Sequence, residues 1–137
     1  MQRAALRFAL LLAFLVLGPS LDADQRVLLK LPFEFTAGDN VFGAGEYMFT
    51  ISTNATQDVV VQSSDRKQNG RIHVVPLRRM DKPKQGSLVF HRYGTRYFLQ
   101  EIGMAGDRLA RQVTKGAAEE KLLQEGAKPE IVSVNLR

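Results

Sequence analysis

The chain has 137 residues, 19 basic and 14 acidic, for a formal net charge of +5, with no cysteine and no tryptophan. That length fits one domain and leaves little room for a second. Without cysteine there is no thiol nucleophile, iron–sulfur cluster, thiolate zinc site or disulfide, so the fold must stand on its apolar core.

The chain opens with Arg3 and Arg7, then FALLLAFLVL (Phe8 to Leu17), a run of ten apolar residues. Gly18 and Pro19 break the run, and the small residues Ser20 and Ala23 follow. A basic start, a short apolar stretch and small residues make up a secretory signal peptide. A membrane-spanning helix would need about 20 apolar residues. Cleavage is expected after Ala23, with Ser20 as the alternative, giving a signal peptide of 1–23 and a single β-rich domain of 24–137. The mature chain is expected to be exported, periplasmic or secreted, with no membrane span. It keeps 17 basic and 13 acidic residues, a mild excess that favours anionic surfaces in general. Export argues against nucleic acid as a partner. The basic clusters RKQNGR (Arg66 to Arg71) and Arg78-Arg79 fall at predicted turns and read as solvated charge.

RVLLKLPFEF follows, with Val27, Leu29, Leu31, Phe33 and Phe35 on one face at period two. This is a core strand by burial, and Pro32, which cannot donate to a ladder, predicts an edge or a bulge there. AGDN turns the chain, Val41-Phe42 returns briefly, and GAGEY turns it again into EYMFTIS, which sets Tyr47, Phe49 and Ile51 on one face. TNATQ leads to DVVVQS; its Asn54-Ala55-Thr56 triplet fits a glycosylation acceptor and fits a polar turn as well. Asn69-Gly70, between two β-branched runs, is a hairpin signal. After RIHVVPL, Pro83 and Gly86 bracket a break.

LVFHRYGTRYFLQEI (Leu88 to Ile102) is the densest cluster of functional side chains. Gly94-Thr95 suits a type II′ turn. That register sets Phe90 against Leu99, His91 against Phe98, Arg92 against Tyr97, Tyr93 against Arg96, Val89 against Gln100 and Leu88 against Glu101. Each Arg–Tyr pair places a guanidinium beside an aromatic ring, worth about 0.5–1 kcal/mol when exposed. GMAGDR is then a loop, and Leu109 to Val113 reads as a strand or as the lead-in to a helix. AAEEKLLQEG predicts a helix with an apolar stripe of Ala118, Leu122 and Leu123, and Glu119-Glu120 near its positive end. IVSVNL closes the chain as a strand. The fold class is all-β, mainly antiparallel, a small barrel or sandwich of six to eight strands with one helix in the C-terminal region.

KLPFEFTAGDNVFGAGEYMFTI and LVFHRYGTRYFLQEI, with a charged helix after them, resemble an uncharacterised family of small, signal-bearing, β-rich secreted proteins found in acidobacteria. Thr95, Gly103 and Phe42-Gly43 depart from that family's pattern. The resemblance implies an envelope or secreted protein and brings no activity with it. GAGEY before a strand also resembles turns of prealbumin-like and fibronectin-like sandwiches, in which a tyrosine pins a corner.

The chemistry-bearing motifs are few. GxSxG does not occur, and the glycines of GAGEY precede a strand, not the helix N-terminus of a phosphate loop. The leading functional reading is a non-enzymatic binding module of the envelope. Its contact surface would be the hairpin residues His91, Arg92, Tyr93, Arg96 and Tyr97, chosen because interfaces recruit such side chains. The partner class stays open among an envelope component, a protein and a small molecule, with no cofactor expected. A second reading is a metal-dependent or hydrolytic enzyme using His73 and His91, with a carboxylate as third ligand. A third is assembly through exposed strand edges such as Arg26 to Phe35. N-terminal sequencing of the exported protein should begin at Asp24, or at Leu21 after the alternative cleavage; an envelope protein still beginning at Met1 would remove the signal-peptide reading.

Overall fold

The computed structural model describes residues 24–52 and 58–136. The expected signal segment and the Asn54-Ala55-Thr56 triplet lie outside the described residues. Ten strands are present among those described. They are β1 (Gln25–Leu31), β2 (Phe35–Ala37), β3 (Asn40–Phe42), β4 (Gly45–Ile51), β5 (Asp58–Ser63), β6 (Asn69–Arg78), β7 (Ser87–Tyr93), β8 (Arg96–Gly103), β9 (Leu109–Val113) and β10 (Glu130–Asn135). One helix, α1 (Ala117–Gln124), precedes β10. No helix among the described residues is long and apolar enough to cross a membrane.

The hydrogen-bonded order runs β1-β4-β5-β6-β9-β8-β2-β3, with β7 on β8 and β10 on β7, and the path does not close. Every pairing is antiparallel except that of β2 with β8. Strand β6 joins two groups of strands by length: Asn69–His73 pair with β5 and Val74–Arg78 pair with β9.

Strand count exceeds the expected six to eight for a local reason. The run from Val27 to Phe35 is two strands, not one. Pro32 and Phe33 form a bend, so β1 stays with β4 while β2 crosses to lie beside β8. Proline cannot continue the ladder, and the chain turns a corner there. Burial still follows the predicted face: Val27, Leu31 and Phe35 are buried, while Leu29 and Phe33 pack half-buried against the core. The region from Leu109 to Val113 is a strand, resolving its two sequence readings.

The Asn69-Gly70 signal belongs elsewhere. Both residues already pair with β5, and the turn is Ser64 to Gln68. Arg66 takes the left-handed conformation there, with φ of 63°. The Asp65 carboxylate closes this turn by accepting from the Ser63 hydroxyl at 2.6 Å and the Lys67 amide at 2.9 Å. Those two bonds, the first above all, hold Asp65 below the usual carboxylate range. Gly70 is small because the Phe42 ring needs the space: a β-carbon would come within 3.0 Å of its Cζ.

An aromatic cluster joins the groups of strands. The Phe35 ring lies 5.1 Å from Phe42, 5.6 Å from Tyr47 and 5.8 Å from Phe90. The Tyr47 hydroxyl donates to the Gly43 carbonyl at 2.5 Å, so this tyrosine pins its own corner. Burial, and behind it the Asp65 charge, raises its pKa. Tyr47→Phe keeps the ring and removes the bond, and should lower stability by about 1 kcal/mol in urea unfolding, the usual net value of one such bond.

Candidate functional site

The β7–β8 hairpin has the predicted register at its tip. Phe90, His91, Arg92 and Tyr93 face Leu99, Phe98, Tyr97 and Arg96. Gly94 has φ of +64° and Thr95 lacks a positive φ, as a type II′ turn requires. The register then slips. Val89 faces Glu101 and Leu88 faces Ile102, because a bulge between Val89 and Phe90 leaves Gln100 as the extra residue on β8. The expected pairs Val89–Gln100 and Leu88–Glu101 are therefore replaced. Consecutive Phe98, Leu99 and Gln100 are all buried as a result.

Gln100 is buried against α1, and the contact is a glutamate. The helix's buried residue is Glu119, 2% exposed, while Leu123 is 38% exposed. The predicted apolar stripe does not dock the helix: Ala118 is exposed and Leu122 half-buried. One Glu119 oxygen accepts from the Tyr93 hydroxyl at 2.8 Å and the other from the Gln100 amide at 2.6 Å. Lys115 Nζ in turn donates to Gln100 Oε1 at 3.1 Å. His91 Nδ1 lies 3.3 Å from the oxygen that Tyr93 uses, at an angle that gives no hydrogen bond.

Glu119 therefore does more than meet the helix dipole, as the sequence reading had it. Its carboxylate is a plug. A second carboxylate fixes the start of α1. Gly116 at the N-cap has no side chain to offer, and Asp39 from the β2–β3 turn accepts from the Ala117 amide at 3.0 Å. Gly116 has to be glycine, because a β-carbon there would overlap the Gly38 carbonyl oxygen.

The five hairpin residues proposed as a contact surface divide between internal partners. Tyr93 is buried at 8% exposure and bonded to Glu119, so the expectation of exposed tyrosines at the tip fails for it. Arg92 forms an ion pair with Glu130 of the neighbouring β10. Its pKa is raised, first by Tyr97 and then by Glu130. Tyr97 stacks on Phe33 with ring centroids 3.9 Å apart. The Arg96 guanidinium sits 5.2 Å above the Phe98 ring.

The two histidines do not share a partner. His73 on β6 faces Asp58 on β5, Nδ1 to Oδ1 3.5 Å, with Arg71 on the same carboxylate at 4.0 Å. His91 faces Glu119. Among the described residues no three histidine, aspartate or glutamate side chains gather as a metal ion would need. Acid–base chemistry requires a group that can reach a substrate, and Glu119 has both oxygens bonded beneath the helix.

Sequence reasoning missed one more feature. Arg78, Arg79, Met80, Asp107, Arg108 and Leu109 line a surface cavity of about 660 Å³ where β6 meets β9. No known family model matches this chain, and no curated protein or solved structure does. The site is read from its own chemistry.

The Tyr93 proton reports on the closed network. Burial first, and the Glu119 carboxylate second, push the Tyr93 pKa from 10.0 up to about 12. The folded chain thus holds this proton more tightly than the unfolded chain. Its contribution to stability is intact below pH 10 and is lost as pH rises through about 12. Urea unfolding should show stability falling over that window, with a shallower fall in Tyr93→Phe; Tyr47 supplies part of what remains. Glu119→Ala leaves the Tyr93 and Gln100 donors without their acceptor and should cost about 2 kcal/mol at neutral pH. Hydrogen exchange in that variant should speed up first in α1.

Proposed function

We propose that this chain is an exported, non-enzymatic binding domain of the cell envelope. The observation that carries the reading is the closed state of its most reactive-looking groups. His91, Tyr93, Gln100 and Glu119 turn toward one another under α1, which suits a scaffold and occupies both oxygens of the Glu119 carboxylate. The two groups of strands form a sandwich, not a closed barrel, so ligands bind at loops and edges. The hairpin then serves as framework, with Arg96 at its exposed tip.

The assembly reading is weaker on physical grounds. Strand β1 ends the ladder and shows Leu28 at 52% exposure, which invites pairing. Two antiparallel copies centred on Leu28 would set Arg26 against Lys30, a like-charge contact that opposes the union. The enzyme reading needs His73 and His91 to act together, and each lies against its own carboxylate.

Native mass spectrometry of the protein purified gently from its own host tests the choice. The expected spectrum is a monomer with a retained small molecule or partner that is lost on denaturation. A concentration-dependent oligomer of bare chains would favour assembly. A retained metal ion bound through His73 and His91 would favour the enzyme.

A further inference from the structure

We propose that the cavity between the β6 and β9 ends is a binding site for a phosphate-type oxyanion carried on an apolar group. The proposal deepens the binding reading by giving it a place and a ligand class. Arg78 pairs with Leu109 at the last rung of the β6–β9 ladder, and the Arg79 amide donates to the Arg108 carbonyl at 2.7 Å, one step further on. Three arginines are thereby fixed on neighbouring backbone positions. Like charges set across a ladder oppose folding, so this placement is unfavourable unless something else meets the charge.

The nearby acids do not meet all of it. Glu101 forms an ion pair with Arg79 and holds that side chain in place. Asp107 lines the cavity, and its Oδ1 accepts from the Leu109 amide at 2.8 Å. Among the described residues, neither Arg78 nor Arg108 has a carboxylate within ion-pair distance. Two guanidinium forks therefore remain for one ligand. A single fork engages both oxygens of a carboxylate, whereas a phosphate presents a further oxygen and a second negative charge to a second fork.

The cavity also has an apolar wall. Met80 is 91% exposed, the most exposed large hydrophobic side chain among the described residues, and it lines the cavity with Leu109. A flexible thioether beside two unpaired arginines fits an alkyl chain next to a phosphate. Such a ligand could be a soluble alkyl phosphate or the headgroup region of a phospholipid.

Calorimetric titration of the protein as exported, at low salt, uses three probes: inorganic phosphate, hexyl phosphate, and phosphatidylcholine vesicles with and without phosphatidylglycerol. Hexyl phosphate should saturate at one site and bind at least about tenfold more tightly than inorganic phosphate, through burial of its alkyl group. Arg78→Ala with Arg108→Ala should weaken it at least about tenfold, as loss of two charge-assisted contacts predicts. Arg66→Ala, on the β5–β6 turn, should change nothing, and Met80→Ser should erase the preference for the alkyl group. Partition onto phosphatidylglycerol vesicles that the double variant loses would identify the lipid source; hexyl phosphate binding without partition would identify a soluble one. Absence of saturable binding to all three probes would overturn the proposal, as would binding that survives the double variant. Should that variant fail to fold, Arg108→Gln carries the same test. A retained ligand in native mass spectrometry alongside failure here would leave the binding reading standing and this site wrong.

Discussion

The packing of Phe35 against rings from three other strands is the constraint on which the architecture rests. Phe42 reaches it from β3, Tyr47 from β4 and Phe90 from β7, so one side chain ties the β1–β4 end of the ladder to the β7–β8 hairpin. Edge-to-face and offset contacts of this kind add to the burial of large rings and fix their relative positions. Phe35 reaches that place because Pro32 ends β1 and redirects the chain. The bend and the aromatic cluster are one arrangement: Leu31 already faces Gly45, the first residue of β4, and the corner after it carries Phe35 to β8. Gly70 completes it by leaving room for Phe42.

Helix α1 depends on polar contacts in place of an apolar stripe. A buried carboxylate is costly to desolvate unless its oxygens are bonded, and those of Glu119 are. The result is positional. An apolar stripe can slide along a sheet, whereas a carboxylate held by one hydroxyl and one amide has a single seat. Gln100 enters that seat because the bulge in β8 adds a residue just there, so the hairpin irregularity and the helix position share a cause. The same network closes the groups that a search for catalysis would choose first. The arginines at the end of β6 stand in contrast, since their charge is only partly met from within.

Much of the strand structure was legible in the sequence. Alternation set the buried faces of β1, β4 and β5, and the Gly94-Thr95 turn set four rungs of the hairpin register correctly. Asn69-Gly70 misled because glycine answers two different needs, a turn and a close approach, and a sequence does not say which. The break in Val27 to Phe35 was signalled by Pro32, but the direction taken after it was not. Glu119 was visible as an acid near a helix start, which is where helices favour acids in any case.

By itself, the sequence determined the β-rich class, the helix before the last strand, the dependence on an apolar core without disulfides, and the pairing around Gly94. These follow from local periodicity and turn chemistry, which act over a few residues. Tertiary structure decided that Glu119 and not the leucines would be the buried face of α1, that His73 and His91 would take separate carboxylates, and that Arg78 and Arg108 would share one cavity. These contacts join residues far apart in the chain: Glu119 lies 26 positions from Tyr93 and 19 from Gln100, and His91 lies 28 from Glu119. Strand order is set by how the aromatic core closes, a property of all the strands together and of no stretch of sequence alone.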